Sequence, residues 1–370
     1  MVTTRNVLLT LVNLVALFSS AFADSDWKIV KVRGLEYLTV DNIARFYGLP
    51  LGMAPSDKHI RLDNGKVSLD VQLDSREIII NGARNWLCFP VAEKDGQYLI
   101  SRVDLSKTLE PQLRPQMIPN LGHFKTVVLD PGHGGYDNGA ISPYGYEKNF
   151  ALDVALELKP LLEAKGLKVK MTRKSDIFVP LELRARIANA ARDAVFVSIH
   201  FNAAGSNPAA NGFEIYSLTP RGAPSTSDDA FALRFLNMQA GSPVDAPSLA
   251  LSMSVYHSLL GHFSEYDRGI KRARFAVLRL TRIPAILVEG GFLTERGDSR
   301  QIAKSAWRAK LAQSIATGLV NYKRLVDDHT RPMMLADYRR EIEGTLVLHD
   351  ATAPSRPEAS PAPPIIPTSN

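Results

Sequence analysis

The chain has 370 residues, 45% hydrophobic and 22% charged, with 24 glycines, 23 prolines and a single cysteine. This is ordinary globular composition, which excludes collagen-like, disordered and multi-span membrane classes, and the length suits about two domains. Cys88, the one cysteine, excludes an internal disulfide framework, and a formal charge of +6 favours polyanionic surfaces such as cell wall or lipid headgroups.

The opening stretch carries one positive charge at Arg5, an apolar run from Val7 to Phe18 and the small-residue pattern Ala21-Phe22-Ala23. It reads as a secretory signal peptide over residues 1–23. The apolar run is shorter than the ~20 residues a spanning helix needs, so no stable membrane span is expected. Export to the periplasm or cell envelope follows, and it argues against nucleic acid as a partner.

Residues 24–110 read as a small α+β domain. A helix is expected after Thr39, and "KVSLDVQLDSREIIING" alternates as a half-buried hairpin does, with turn signals at Asn81-Gly82 and Asp95-Gly96. This part resembles the amine-oxidase-like N-terminal modules of some exported wall enzymes. The proline-rich stretch 111–123 is expected to be a linker.

Beyond it, over 124–326, strands and helices alternate. Strand "KTVVLD" leads into a glycine loop, followed by helix "EKNFALDVALELKPLLEAKG", in which Pro160 is expected to cause a kink. Next come strand "LKVKMT", helix "PLELRARIANAARD", and strands "AVFVSIH" and "GFEIYSL". Helix "SLALSMSVYHSLLGHF", strands "FAVLRL" and "PAILVEG", and a closing helix near 303–326 complete the series. The order predicts an α/β fold, a mainly parallel twisted sheet with helices on both faces. The tail 327–370, rich in proline, serine and alanine towards its end, is expected to be disordered.

Three of the expected strands end in a titratable residue or in the loop that holds one: "VVLDPGH" delivers His133, "FVSIH" His200 and "AILVE" Glu289. Ligands gather at the carboxyl edge of an open α/β sheet, so these residues converge there, joined by Glu147 at the start of the first helix. Each has a bland reading alone: a turn histidine, a core histidine, a carboxylate at a helix N-terminus. Together, two imidazoles and a carboxylate around an open position form the ligand set of a hydrolytic zinc site, and a further carboxylate is needed as general base and acid. Spacing allows Glu147 as ligand and Glu289 as base, or the reverse. Gly132, Gly134 and Gly135 let the loop fold closely over an ion.

The pieces "LDPGHGGYDNGA", "EKN", "LELRARIAN", "VSIHFNA", "DRGIKRARFAVLR" and "PAILVEGGF", in this order over about 125–322, closely resemble the zinc-dependent N-acetylmuramoyl-L-alanine amidases of the type 3 group. The resemblance implies one zinc ion on His133, Glu147 and His200, catalysis by Glu289, and peptidoglycan as substrate, cut between the lactyl group of muramic acid and L-alanine. "ERGDSRQIA" after "GFLT" departs from the usual continuation. Asn202 is a candidate substrate contact or loop brace, and Asp130 a candidate acceptor orienting the glycine loop or a ligand imidazole. Arg173 and Arg184 are expected to be clamps. The N-terminal domain is a candidate site for wall or division-machinery proteins. The competing readings are a zinc endopeptidase or carboxypeptidase acting on stem peptides, and a non-catalytic wall-binding or activator protein.

Overall fold

The computed structural model describes residues 27–50, 58–205, 209–231, 241–263 and 265–341. The signal peptide expected over 1–23 lies outside the described residues. Among the described residues no helix is long and apolar enough to cross a membrane.

The N-terminal part holds β1 (Ile29–Val32), β2 (Leu35–Thr39), α1 (Val40–Tyr47), β3 (His59–Asp63), β4 (Ser68–Gln72), β5 (Glu77–Ile80), β6 (Ala83–Trp86), β7 (Ala92–Lys94) and β8 (Gln97–Ser101). Thr39 caps α1 by accepting from the Asn42 N–H, and Gly48 at φ +61 ends it in the left-handed conformation that glycine adopts without steric cost. A four-stranded sheet runs β1-β2-β8-β7. The antiparallel strands β3 to β6 alternate buried and exposed residues and cover a separate apolar core with Val40, Ile43, Leu69 and Ile78.

The second part holds β9 (Thr126–Pro131), β10 (Ile141–Ser142), β11 (Gly145–Tyr146), α2 (Glu147–Glu163), β12 (Lys168–Met171), α3 (Leu181–Asn189), β13 (Ala194–Asn202) and β14 (Phe213–Leu218). It continues with α4 (Asp245–His262), β15 (Asp267–Ala273), α5 (Ala276–Leu280), β16 (Ala285–Phe292), α6 (Arg296–Ile302) and α7 (Ser305–Asp328). A ten-stranded sheet runs β12-β9-β13-β16-β14-β15-β6-β5-β4-β3. From β12 to β15 every pairing is parallel except β14 against β16. The sheet passes without a break into the N-terminal part, because β15 pairs with β6 at Ile270 and Asn85.

Alternation along the central strands assigns each residue to a face. Val127, Leu129, Val195, Val197, Ile199, Ile286 and Val288 pack under α2, α4 and α7 in the main core. Their neighbours Val128, Phe196 and Leu287 face α3 and α5, with Ala188 and Val277. By the same period of two, Asp130, Ser198, His200 and Glu289 belong to this second face, which is covered by short helices only.

Three expectations change. "FAVLRL" is not a strand: pairing is completed by Asp267–Ala273, and Ala276–Leu280 forms a helical turn that buries the adjacent Val277 and Leu278. So short an apolar run does not distinguish a period of 2 from one of 3.6. The stretch 111–123 connects the two parts but is folded onto them, since it buries Leu113, Ile118 and Leu121. Pro115 lies in the first turn of a short helical segment, where a missing N–H costs nothing, and Pro111 follows the π-helical turn Leu105–Leu109 in a continuous helical run. Residues 327–341 of the expected disordered tail are ordered, with Met334, Leu335 and Tyr338 buried; residues 342–370 lie outside the described residues. Pro160 sits in the last turn of α2, which ends at Glu163.

Candidate metal and hydrolytic site

The carboxyl edge of β9, β13 and β16 carries the residues the sequence singles out. Glu147 opens α2 and is 4% exposed. Its Oε2 accepts from the Ala140 N–H at 2.8 Å and its Oε1 from the Phe201 N–H at 3.1 Å, so the carboxylate is fixed from both sides. The same Oε1 lies 3.1 Å from His133 Nε2 and 2.9 Å from His200 Nδ1. Burial alone would push Glu147 up, but the contacts with the two imidazoles outweigh it and hold the carboxyl well below its ordinary range.

His133 takes a backbone φ of +58, uncommon for a residue with a side chain. The loop is over-determined around it. Arg184 donates to the carbonyls of His133 (2.6 Å), Pro131 (2.7 Å) and Val179 (2.8 Å), and Arg173 to those of Pro131 (3.0 Å), Gly132 (2.6 Å) and Lys148 (2.7 Å). Both arginines are clamps. Asp130, fully buried, accepts from Arg184 (2.9 Å), Thr172 (2.6 Å) and Ser198 (2.8 Å). It therefore acts on the glycine loop through Arg184; the carboxylate beside the His133 imidazole is Asp137, with Oδ1 2.9 Å from Nδ1 though not in line for a hydrogen bond.

Glu289 is the register partner of His200 in β13 and β16, and of Glu214 in β14 and β16. Its Oε2 is buried with no partner among the described residues. Burial, then the nearby carboxylates of Glu147 and Glu214, push its carboxyl well above the ordinary range. Asn202 spends its amide on Glu214 Oε2 (3.1 Å), and its Oδ1 accepts from the Ala203 N–H (2.9 Å). Glu214 also accepts from Lys271 at 2.7 Å and from Arg268 and Tyr216, and its carboxyl is held low by these groups against the opposing effect of burial. Asp137 and Glu214 are the residues that sequence reasoning missed. Glu214 had a signal, a lone charge on the same alternating face of "GFEIYSL" as the site.

The donor set fits a cation. One atom each from His133, Glu147 and His200 lie within 4.8 Å of one another, the only such group among the described residues. Two glycines keep the space open. A Cβ on Gly132 would come 2.2 Å from His200 Cε1, and one on Gly139, at φ +64, would come 2.5 Å from Glu147 Oε2 and 2.6 Å from His133 Cδ2. Beside the set lies a cavity of about 480 Å³, lined by His133, His200, Glu289 and Asp137 and walled by Phe178, Val179, Leu181, Phe275 and Leu287. Two imidazoles, a carboxylate and a separate acid at an apolar cleft can hold a Lewis acid and shuttle a proton beside it.

The profile of the Amidase_3 family, described as N-acetylmuramoyl-L-alanine amidase, matches residues 127–321. The chain is 37% identical over 240 residues to the N-acetylmuramoyl-L-alanine amidase AmiC of Neisseria meningitidis serogroup B, covering 59% of this chain and 57% of that relative. It is 30% identical over 251 residues to AmiA of Escherichia coli K12, covering 62% and 86%. Among solved structures, an N-acetylmuramoyl-L-alanine amidase from Clostridium difficile 630 aligns with 31% identity, 54% and 97% coverage and a TM-score of 0.45. The matched region thus spans little more than half the length of the Neisseria relative.

Proposed function

The chain belongs to the N-acetylmuramoyl-L-alanine amidase family, and from that premise we propose that it is an exported, zinc-dependent peptidoglycan hydrolase. It cleaves the amide between the lactyl group of muramic acid and L-alanine of the stem peptide. The observation that carries this reading is Glu147 Oε1 set between His133 Nε2 and His200 Nδ1, with Glu289 the next residue across the sheet.

His133, Glu147 and His200 would hold the zinc, which when bound polarises an amide carbonyl and makes water acidic enough to attack near neutral pH. Glu289 takes the proton from the attacking water at its free Oε2. It then returns that proton to the departing L-alanine nitrogen, so a carboxylate on the sugar and an amino group on the peptide are the products. Arg184 fixes the loop carbonyls on either side of His133 and the Asp137 carboxylate lies beside its imidazole, so the ring is placed for the metal without rearrangement. Phe178, Leu181 and Phe275 give the open cleft an apolar wall. The N-terminal part, residues 24–110, is offered as the surface for wall or division-machinery proteins, with the periplasm or cell envelope as the site of action.

The test is incubation of the purified protein with wall sacculi, with and without chelator, and product identification by mass. Glycan with a free lactyl carboxyl is expected, and only without chelator. A new amino group from inside the stem would make the protein a peptidase, and sedimentation with wall without soluble product would make it a binding protein.

A further inference from the structure

Tyr136 belongs to the glycine loop yet takes no part in the ligand set. The residue is 80% exposed, and its ring stacks on Phe178 at 4.3 Å between centroids and 27° between planes. Phe178 in turn lines the catalytic cavity. One exposed aromatic residue needs no explanation; a pinned pair on the rim of a reaction cleft does. The two loops that carry it are locked together. The Gly135 N–H donates to Asp176 Oδ1 at 2.7 Å, and Lys148 donates to both the Gly135 carbonyl (2.6 Å) and Asp176 Oδ2 (2.8 Å). A Cβ on Gly134 would come 2.1 Å from the Ile177 carbonyl oxygen, and one on Gly135 2.7 Å from the Phe178 nitrogen, so the approach is as close as glycine allows.

The chemistry of this ledge selects its occupant. A peptide is recognised through backbone donors and acceptors and through charges opposite its carboxylates. Here the backbone groups of the two glycines are already engaged: Gly135 as above, and Gly134 with Asp137 through reciprocal N–H to carbonyl bonds. The Lys148 ammonium is held between Asp176 and the Gly135 carbonyl. What remains open is the outer face of the Tyr136 ring, whose negative face attracts C–H groups carrying partial positive charge. A pyranose ring presents such a face, and a stem peptide carboxylate does not.

We propose that Tyr136, backed by Phe178, is a carbohydrate subsite on which a sugar ring of the glycan strand stacks while the lactyl amide enters the cavity. The inference rests on the amidase reading above and adds to it the side of the cleft that receives the glycan.

The test uses the full chain loaded with zinc and two substrates that share the scissile amide, an N-acetylmuramoyl tripeptide and the D-lactoyl tripeptide that lacks the sugar ring. Tyr136→Ala is expected to raise KM for the muramoyl substrate roughly tenfold, near the upper end of what one aromatic contact contributes. KM for the lactoyl substrate should stay within about twofold of wild type on the same scale, and Tyr136→Phe should keep the wild-type ratio. Calorimetry with peptide-free N-acetylglucosaminyl-N-acetylmuramic acid should show binding that Tyr136→Ala weakens by a similar factor. Equal losses on both substrates, absence of disaccharide binding to the wild type, or binding undiminished by Tyr136→Ala would each overturn the subsite. If the wild type releases peptide from neither substrate yet binds the disaccharide through Tyr136, the amidase reading fails and the subsite stands.

Discussion

Glu289 and His200 occupy the same register position on the neighbouring parallel strands β13 and β16, and so share one face of the sheet. His200 lies in the group that could hold a metal ion; Glu289 has a buried oxygen without a partner among the described residues. Glu289→Gln keeps the shape and removes the proton acceptor. Muropeptide release should fall by roughly 10²–10⁴-fold, the usual contribution of general acid–base catalysis, while elemental analysis still finds one zinc per chain. Undiminished turnover in that variant removes Glu289 from the mechanism.

Gly139 is required by space as well as by its φ of +64. Gly139→Ala drives a methyl group into Glu147 Oε2 and His133 Cδ2, so zinc affinity should drop by roughly 10–100-fold, as losses of supporting contacts around metal ligands do. Gly65→Ala is the matched control, with a similar φ of +77 and nothing within 4 Å of the added carbon. Competition with a fluorescent chelator reads both; equal zinc affinity in the two variants contradicts the cradle.

Zinc bound only by the folded chain adds stability by mass action, about 2.7 kcal/mol at a free concentration one hundred times Kd. A chelator should therefore lower Tm together with activity, and added zinc should restore both. In Glu147→Ala the melting temperature should no longer respond to chelator, because one of the three ligand groups is gone.

Asp130 and Arg184 form a fully buried ion pair at 2.9 Å. Asp130→Ala strands the guanidinium and leaves Thr172 and Ser198 without their acceptor, so unfolding stability should fall by roughly 3–5 kcal/mol. Urea titration measures it. A loss under about 1 kcal/mol, the scale of an exposed ion pair, would show that the clamp does not depend on this carboxylate.

His257 lies in α4, is 1% exposed, and neither ring nitrogen has a partner among the described residues. Burial, reinforced by Arg331 and opposed by Asp337, lowers its pKa from 6.5 to about 4. The unfolded chain therefore binds the proton first. Stability is complete above pH 6.5 and is lost as pH falls towards 4, by up to roughly 3 kcal/mol. Denaturation at a series of pH values should show His257→Leu to be less acid-sensitive than wild type across that window; parallel curves would assign the sensitivity to other groups.

The grouping of His133, Glu147, His200 and Glu289 at one edge was legible because each sits where an apolar strand stops or a helix begins, and those boundaries are written in local pattern. Asp137 was not legible, since a loop carboxylate gives no period to read. Glu214 was visible as a charge on a buried strand, but its partners Lys271, Arg268 and Asn202 come from β15 and β13, and only pairing brings them together. Helix α5 was misread because Val277 and Leu278, adjacent and both buried, suit either period over so few residues. The proline-rich stretch 111–123 looked like a spacer because proline marks both linkers and helix starts, and burial of Leu113 and Ile118 decides between them.

The passage of the sheet from β15 into β6 bears on how this chain can be cut. Arg84 donates its backbone N–H to Asp267 and Trp86 its indole N–H to the Arg268 carbonyl, and the ring of Trp86 would meet a Cβ on Gly269 at 3.0 Å. A fragment starting after the proline-rich stretch would leave this flank of β15 bare, a ready template for another molecule's backbone. Its solubility and aggregation would then report on a wound made by truncation.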